Sequence, residues 1–173
     1  MRFPIGEWCI RTYERRDIQA LVKYANNPNV CRNLREAFPY PYTRRDASLW
    51  IESALAQDEE THFAIATGQE LIGGIGFQLQ GDVHRRSAEL GYWLGEPFWG
   101  RGIATMAVRT MIDYAFADFD LVRLYAYVFA GNPASERVLE KTGFVCEGTL
   151  RQSVLKNDRL LDQKIFALIR DTA

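Results

Sequence analysis

Hydrophobic and polar positions along this chain switch between two periods, and each switch marks an element. Glu7-Trp-Cys-Ile-Arg-Thr-Tyr13 alternates every second residue and predicts a first strand. Asp17 precedes Leu21, Val22 and Ala25 at helical spacing, so it is placed to cap a helix that Asn26-Asn27-Pro28 stops. A short apolar run from Val30 to Leu34 predicts a further helical turn. Phe38-Pro-Tyr-Pro-Tyr42 is too proline-rich for a helix or a central strand. Thr43 and Asp46 resemble a capping box with Asp in place of Glu, and the helix behind them puts Ala47, Trp50, Ile51, Ala54 and Leu55 on one face.

His62 to Thr67, a Gly68-Gln69 turn, and Leu71 to Gln80 predict a hairpin. Gly73, Gly74 and Gly76 thin its second strand and predict a bulge or a close backbone contact. After a polar loop, Gly81 to Arg86, comes a strand with Ala88, Leu90, Tyr92 and Leu94 on one face and Glu89, Gly91 and Trp93 on the other. The helix that follows carries Ile103, Ala104, Ala107, Val108, Met111, Ile112 and Ala115 on one stripe. Leu121 to Phe129 reads as a buried strand. Asn132-Pro133 starts a helix that Lys141-Thr-Gly143 stops, and Phe144 to Leu155 with Leu160 to Ile169 form a closing hairpin about Lys156-Asn-Asp-Arg159. The predicted order is β-α-α-β-β-β-α-β-α-β-β, a mixed α/β fold in a single domain over residues 1–173.

Size and charge narrow the function. A chain of 173 residues buries roughly 70% of its unfolded surface as one domain. The net charge of −1 argues against a broad nucleic-acid or anionic-membrane surface, while leaving room for a local basic pocket. Cys9, Cys31 and Cys146 have no paired or metal-like spacing, and His62 and His84 are too scattered for a metal centre. Scattered thiols, the lack of an apolar signal core at the N-terminus and the lack of a membrane-length apolar run lead us to expect a cytoplasmic protein with no metal.

The candidate chemistry begins at Gly100-Arg101-Gly102, between the strand and its helix. Glycine there lets the chain take positive φ and lets a ligand approach the backbone. Free N–H groups and the helix dipole make such a start a phosphate site. Arg101 opposes the dipole unless an anion sits there. A solvated arginine on a plain glycine turn is the competing explanation. A dinucleotide fingerprint fits less well: Gly100-x-Gly102-x-x-Thr105 lacks the third glycine, and Asp118 and Asp120 precede the next strand instead of ending it. No G-K-[ST] is present for a nucleoside-triphosphate loop. In the later run, Asn132 as N-cap, Pro133 at the first helical position and Gly143 at the stop have ordinary structural explanations, which do not require Ser135 or Arg137.

Ala88-Glu-Leu-Gly-Tyr-Trp-Leu94, Phe98-Trp-Gly-Arg-Gly-Ile-Ala-Thr105 and Asn132-x-Ala-Ser-x-Arg-Val-Leu-Glu-Lys-x-Gly-Phe144 together resemble the GNAT superfamily of acyl-CoA-dependent N-acetyltransferases, and more narrowly its ribosomal-protein N-terminal acetyltransferase branch. The likeness extends to Phe38-Pro-Tyr-Pro-Tyr-Thr43 and Glu147-Gly-Thr-Leu-Arg151. It implies a mixed, mostly antiparallel sheet splayed at the central strand and flanked by helices. It implies acetyl-CoA as co-substrate, with Trp93, Leu94 and Asn132 on the pantetheine arm and Gly100, Arg101, Gly102, Ile103, Ala104 and Thr105 on the pyrophosphate. Arg137 falls in the same cofactor-binding set. Two positions depart from the family: its usual Gln or Arg at the start of the pyrophosphate motif is Trp99, and the tyrosine that many members use as general acid falls at Leu139.

What the resemblance implies for mechanism is direct attack of a neutral amine on the thioester, with Glu89 as general base and Ser135 beside the sulfur. A solvated glutamate on a strand is the plainer account of Glu89. Phe38, Tyr40 and Tyr42, with the closing hairpin, would line the acceptor groove; a rigid linker packed on the core explains those aromatics equally well. Acidic Glu36 or Glu52 could attract a cationic amine, though a solvated helix or loop face is the plainer account of both. The expected acceptor is a protein N-terminal α-amine; a small amine (polyamine, amino acid or aminoglycoside) and a non-catalytic acyl-CoA-binding module are the alternatives. Members of the branch often dimerise, which makes a second copy a candidate partner that no feature of this sequence demands.

Overall fold

A computed structural model describes residues 1–170. Its strands are β1 (Arg2–Ile5), β2 (Trp8–Arg11), β3 (His62–Ala66), β4 (Leu71–Leu79), β5 (Ser87–Leu94), β6 (Arg123–Phe129), β7 (Val145–Lys156) and β8 (Arg159–Ile169). They lie in one mixed sheet in the order β1-β2-β3-β4-β5-β6-β8-β7. The helices are α1 (Ile18–Ala25), α2 (Pro28–Cys31), α3 (Arg44–Leu55), α4 (Ile103–Asp118) and α5 (Pro133–Lys141). The mixed α/β class stands as expected, with one strand more at the N-terminus. β1 was hidden because Pro4 and Gly6 break a short pattern; the chain reverses at Gly6, φ +69°, and β1 pairs antiparallel with β2.

The chain forms two compact units, Met1–Gly76 with Tyr92–Ala107, and Phe77–Gly91 with Val108 onward. In the first, α1 and α3 cover a core that includes Tyr13, Leu21, Ala25, Tyr42, Ala47, Ile51, Ala64 and Leu71. The capping box at Thr43 is present, with the Thr43 hydroxyl accepting from the Asp46 N–H and Asp46 accepting from the Thr43 N–H. The apolar face of α3 is narrower than its sequence pattern. Ala47 and Ile51 are buried, whereas Leu55 is the last helical residue and is exposed. Trp50 is also exposed, on the helix shoulder with its ring edge-on to Tyr13 and His62.

Asp17 does not cap α1. It is 2% exposed and forms a two-pronged ion pair with Arg11, both N···O distances being 2.7 Å. It also accepts the Glu14 N–H at 2.8 Å. A carboxylate this deep needs a full set of donors, and the arginine fork supplies more than one helix amide could. The glycines of β4 do mark close approach. A Cβ on Gly73 would sit 2.4 Å from the Trp93 carbonyl oxygen, and one on Gly74 would sit 2.5 Å from the Tyr13 hydroxyl.

In the second unit, Phe77, Tyr114 and Phe119 pack edge to face or tilted, with ring centroids 5.1–6.1 Å apart. β6 pairs antiparallel with β8 along its whole length, from Arg123↔Ile169 to Phe129↔Gln163. Its parallel ladder with β5 covers only Ser87↔Arg123, Ala88↔Leu124 and Glu89↔Tyr125. β5 runs on to Leu94 after that ladder has ended, as a splayed central strand requires. The closing hairpin turns at Asn157 and Asp158, both at positive φ, the geometry of a two-residue turn that suits strand twist.

Candidate functional site

The first unit holds the glycine turn and what leads into it. β5 ends at Leu94, and the Gly95 N–H donates to the Ile72 carbonyl at 2.8 Å. A Cβ on Gly95 would lie 2.9 Å from the Tyr24 ring, so a side chain has no room there. Glu96 to Phe98 make one tight turn, after which the Trp99 indole N–H reaches back to the Leu94 carbonyl at 2.7 Å. Trp99 thus closes the loop on the end of the strand, a job that a residue at the head of a phosphate motif would not reveal from sequence.

Gly100 and Gly102 have φ of +74° and +77°, with open space where a Cβ would stand. Backbone conformation requires glycine here; crowding does not. The Met106 N–H donates to the Gly102 carbonyl at 3.1 Å, the first bond of α4. The amides of Ile103, Ala104 and Thr105 therefore have no acceptor within the helix and sit at its positive end. Arg101 is exposed, with its guanidinium carbon 5.7 Å from the Phe98 ring centroid. Such an array of amides plus one cation is built to receive an anion. The sequence stripe of α4 holds: Ile103, Ala107, Val108, Met111 and Ala115 are buried, and Ala104 and Ile112 are half-buried.

A set of contacts that the sequence did not announce fixes the stretch before the turn. Both oxygens of Glu96 accept side-chain amides, from Asn27 at 2.7 Å and from Asn29 at 2.9 Å. These donors hold the Glu96 carboxyl below its ordinary range, with Asn27 the larger influence. The Tyr24 ring meets Phe98 edge to face, centroids 5.3 Å apart. Asn26-Asn27-Pro28 reads as a helix stop, and its partner lies 69 residues along the chain. Only the repeated asparagine hinted at more.

The three aromatic residues of the expected acceptor wall part company. Tyr40 is 54% exposed. Phe38 is half-buried between Tyr42 and Trp93, with centroid distances of 4.9 and 5.4 Å. Tyr42 is a core residue at 5% exposure, and burial pushes its hydroxyl pKa up to about 12. Its burial fits the linker explanation, and the residue anchors the segment, its N–H donating to the Asn26 side chain at 3.0 Å.

The second unit carries the other candidates. Glu89 is half-buried in β5, in register with Tyr125. At the start of α5 the Asn132 side-chain oxygen accepts the Ser135 N–H at 3.3 Å, so the capping explanation of Asn132 is realised. Ser135 is half-buried and Arg137 exposed. Leu139, where the family's tyrosine acid would fall, is fully buried, so that position faces the core here. Among the described residues, no group of three or more His, Cys, Asp or Glu could hold a metal ion. None of the described helices is long and apolar enough to cross a membrane.

Residues 8–145 match the family model described as acetyltransferase (GNAT) domain. The chain is 34% identical over 110 residues to the ribosomal-protein-serine acetyltransferase of Escherichia coli (strain K12), covering 64% of this chain and 61% of that one. It is 27% identical over 166 residues to the spermidine N(1)-acetyltransferase of Vibrio cholerae, covering 95% and 94%. The solved structure of RimL, a ribosomal L7/L12 alpha-N-protein acetyltransferase in complex with coenzyme A, superposes over 100% of both chains with a TM-score of 0.87 at 20% identity.

Proposed function

The chain belongs to the GNAT acetyltransferase family, and from that premise we propose that it acetylates a protein N-terminal α-amine. Acetyl transfer from acetyl-CoA is the family's chemistry. The CoA diphosphate lies on the amides of Ile103, Ala104 and Thr105 with Arg101 beside it, and the left-handed glycines at 100 and 102 are the observation that carries this assignment. Trp93, Leu94 and Asn132 take the pantetheine arm, and Arg137 adds a cation to the cofactor side.

In the reaction the amine nitrogen bonds to the thioester carbon, and a tetrahedral oxyanion forms. Collapse breaks the C–S bond. Glu89 takes the proton that the nitrogen loses, and the leaving sulfur departs as a thiolate that the Ser135 hydroxyl hydrogen-bonds. Leucine at position 139 supplies no acid there, and a thiol with a pKa of about 8.5 needs little acid help to leave.

Two considerations favour an N-terminal amine over a polyamine. An α-amine, with a pKa of about 7.7–8.0, is roughly 10% neutral at pH 7, against under about 0.1% for an alkyl amine of pKa near 10.4. A single carboxylate base suffices for the first. The segment around Phe38 and Tyr40 is also flanked by exposed Arg32, Arg35, Arg44 and Arg45, which outnumber the nearby carboxylates of Glu36 and Asp46. That local charge repels a polycation. Thiol release from acetyl-CoA, measured across N-terminal peptides, spermidine, amino acids and an aminoglycoside, tests the reading. Peptides should turn over fastest. Faster turnover of spermidine overturns the acceptor, and binding of acetyl-CoA without turnover on any amine favours an acyl-CoA-binding module.

A further inference from the structure

The two glycines of the turn before the diphosphate amides have nothing within 4 Å of where their side chains would be, so no packing at those two positions holds the turn. Glycine also has the most backbone freedom to lose. A turn like that binds an anion well only if something else holds it in place, since ordering it on binding costs free energy. The structure shows where that hold is applied. Upstream of the turn, Glu96 accepts from Asn27 on one oxygen and from Asn29 on the other. Asn27 is itself fixed, its side-chain oxygen accepting the Asn29 N–H at 2.8 Å. Two residues beyond Glu96, Phe98 packs against Tyr24, and Arg101 stands over the same Phe98 ring.

Charge makes the arrangement more specific. A carboxylate five positions before Arg101 would ordinarily compete for that guanidinium. Here both its oxygens are occupied by neutral amides, and Arg101 enters no ion pair among the described residues. The cation is left for a ligand. The two hydrogen-bond donors are neutral and add no cation of their own, the charge of Arg32 acting on Glu96 only through space.

We propose that Glu96, gripped by Asn27 and Asn29, is a positioning residue that pre-orders the Gly100–Thr105 turn for the diphosphate of acetyl-CoA. It touches neither the thioester nor the amine. The inference rests on the cofactor placement given above, and it assigns to three side chains outside the binding turn a share of cofactor affinity.

Glu96→Gln tests it, because the new amide group must face an asparagine amide, donor against donor. Titration calorimetry with coenzyme A, well below the melting temperature, should show about tenfold weaker binding, the equivalent of one lost hydrogen bond to a charged group. The KM for acetyl-CoA should rise by the same factor, while kcat at saturating acetyl-CoA and the KM for the amine stay within about twofold. Adding Asn29→Asp supplies an acceptor for the introduced glutamine amide and should restore affinity to within about threefold of wild type. Wild-type affinity in E96Q, with or without a lower melting temperature, overturns the proposal, as does failure of N29D to restore binding. If the wild-type protein itself does not bind coenzyme A, the cofactor placement falls and this inference with it; if it binds and E96Q binds equally, only this inference falls.

Discussion

Replacing Gly73 by alanine probes the packing that holds the end of β5. The added Cβ would stand 2.4 Å from the Trp93 carbonyl oxygen and 3.1 Å from the Leu94 Cα, both backbone atoms that cannot swing aside. Either strand must move by at least about 0.6 Å to reach a tolerable contact, and overpacking of this kind costs about 1–3 kcal/mol. Against that, alanine restricts the unfolded chain and returns about 0.4–1 kcal/mol. The net expectation is a loss of about 1–2 kcal/mol, or roughly 2–8 °C in melting temperature for a chain of this size. Urea unfolding measures it, with Gly68→Ala as control: nothing lies within 4 Å of a Cβ at Gly68. Because the displaced atoms belong to Trp93 and Leu94, the KM for acetyl-CoA should also rise in G73A and not in G68A. Equal stability of the two variants would refute the close-packing argument.

Further expectations follow from the site and from the charged groups. Glu89→Gln should lower the rate and remove the acidic limb of the kcat/KM pH profile; an unchanged profile would leave Glu89 with a structural job. Ser135→Ala should reduce turnover more than coenzyme A affinity, and normal turnover would exclude it from the reaction. Asp17→Ala leaves the Arg11 guanidinium, 9% exposed, with only the more distant Glu14 carboxylate at 3.7 Å and should cost about 3 kcal/mol in urea unfolding, a loss under about 1 kcal/mol contradicting the ion pair's structural weight. The carboxyl pKa values of Glu70, Glu96 and Glu147 lie below their ordinary 4.5, through donors on Tyr24, Asn27 and Arg123 respectively. Their contribution is complete above about pH 4.5 and is lost as pH falls through the depressed values, because the unfolded chain takes up protons first. Burial lowers the His62 pKa from 6.5, so its contribution begins to fade at higher pH, on descending through about 6.5. Melting temperatures recorded from pH 7.5 to 3 should show a shallow early decline and a steeper late one; a flat curve would contradict both.

Features encoded by adjacent residues were readable from the sequence. Thr43 with Asp46, Asn132 with Pro133, and the left-handed Gly100 and Gly102 each depend on a few neighbours, and each is realised. What the sequence could not show depends on partners brought together by folding. Asp17 pairs with Arg11, six residues back on the end of β2, instead of capping the helix it precedes. Tyr42 sits in a proline-rich run that fitted an acceptor wall and a linker packed on the core equally well, and its ring belongs to the core formed by α1 and α3. Glu96 is an unremarked loop acid until Asn27 and Asn29 meet it from 67–69 residues away. Periodicity carries no information about such pairs, since the polar members of each would be equally at home in water.

The sheet leaves two strands at its borders, β1 and β7. A bare border of this kind invites a foreign strand to add itself, the first step toward aggregation. β7 would be an attractive template, being 12 residues long with Val145, Leu150 and Leu155 outward. Its pairing with β8 slips twice, between Cys146 and Gly148 and between Leu150 and Val154, with Gln152 at positive φ in the second slip. An incoming chain could therefore find no uninterrupted row of donors and acceptors to match. On the other border Pro4 withholds an amide from a strand only four residues long. The irregularities of that long hairpin thus act as a guard on solubility, which a straightened β7 would forfeit.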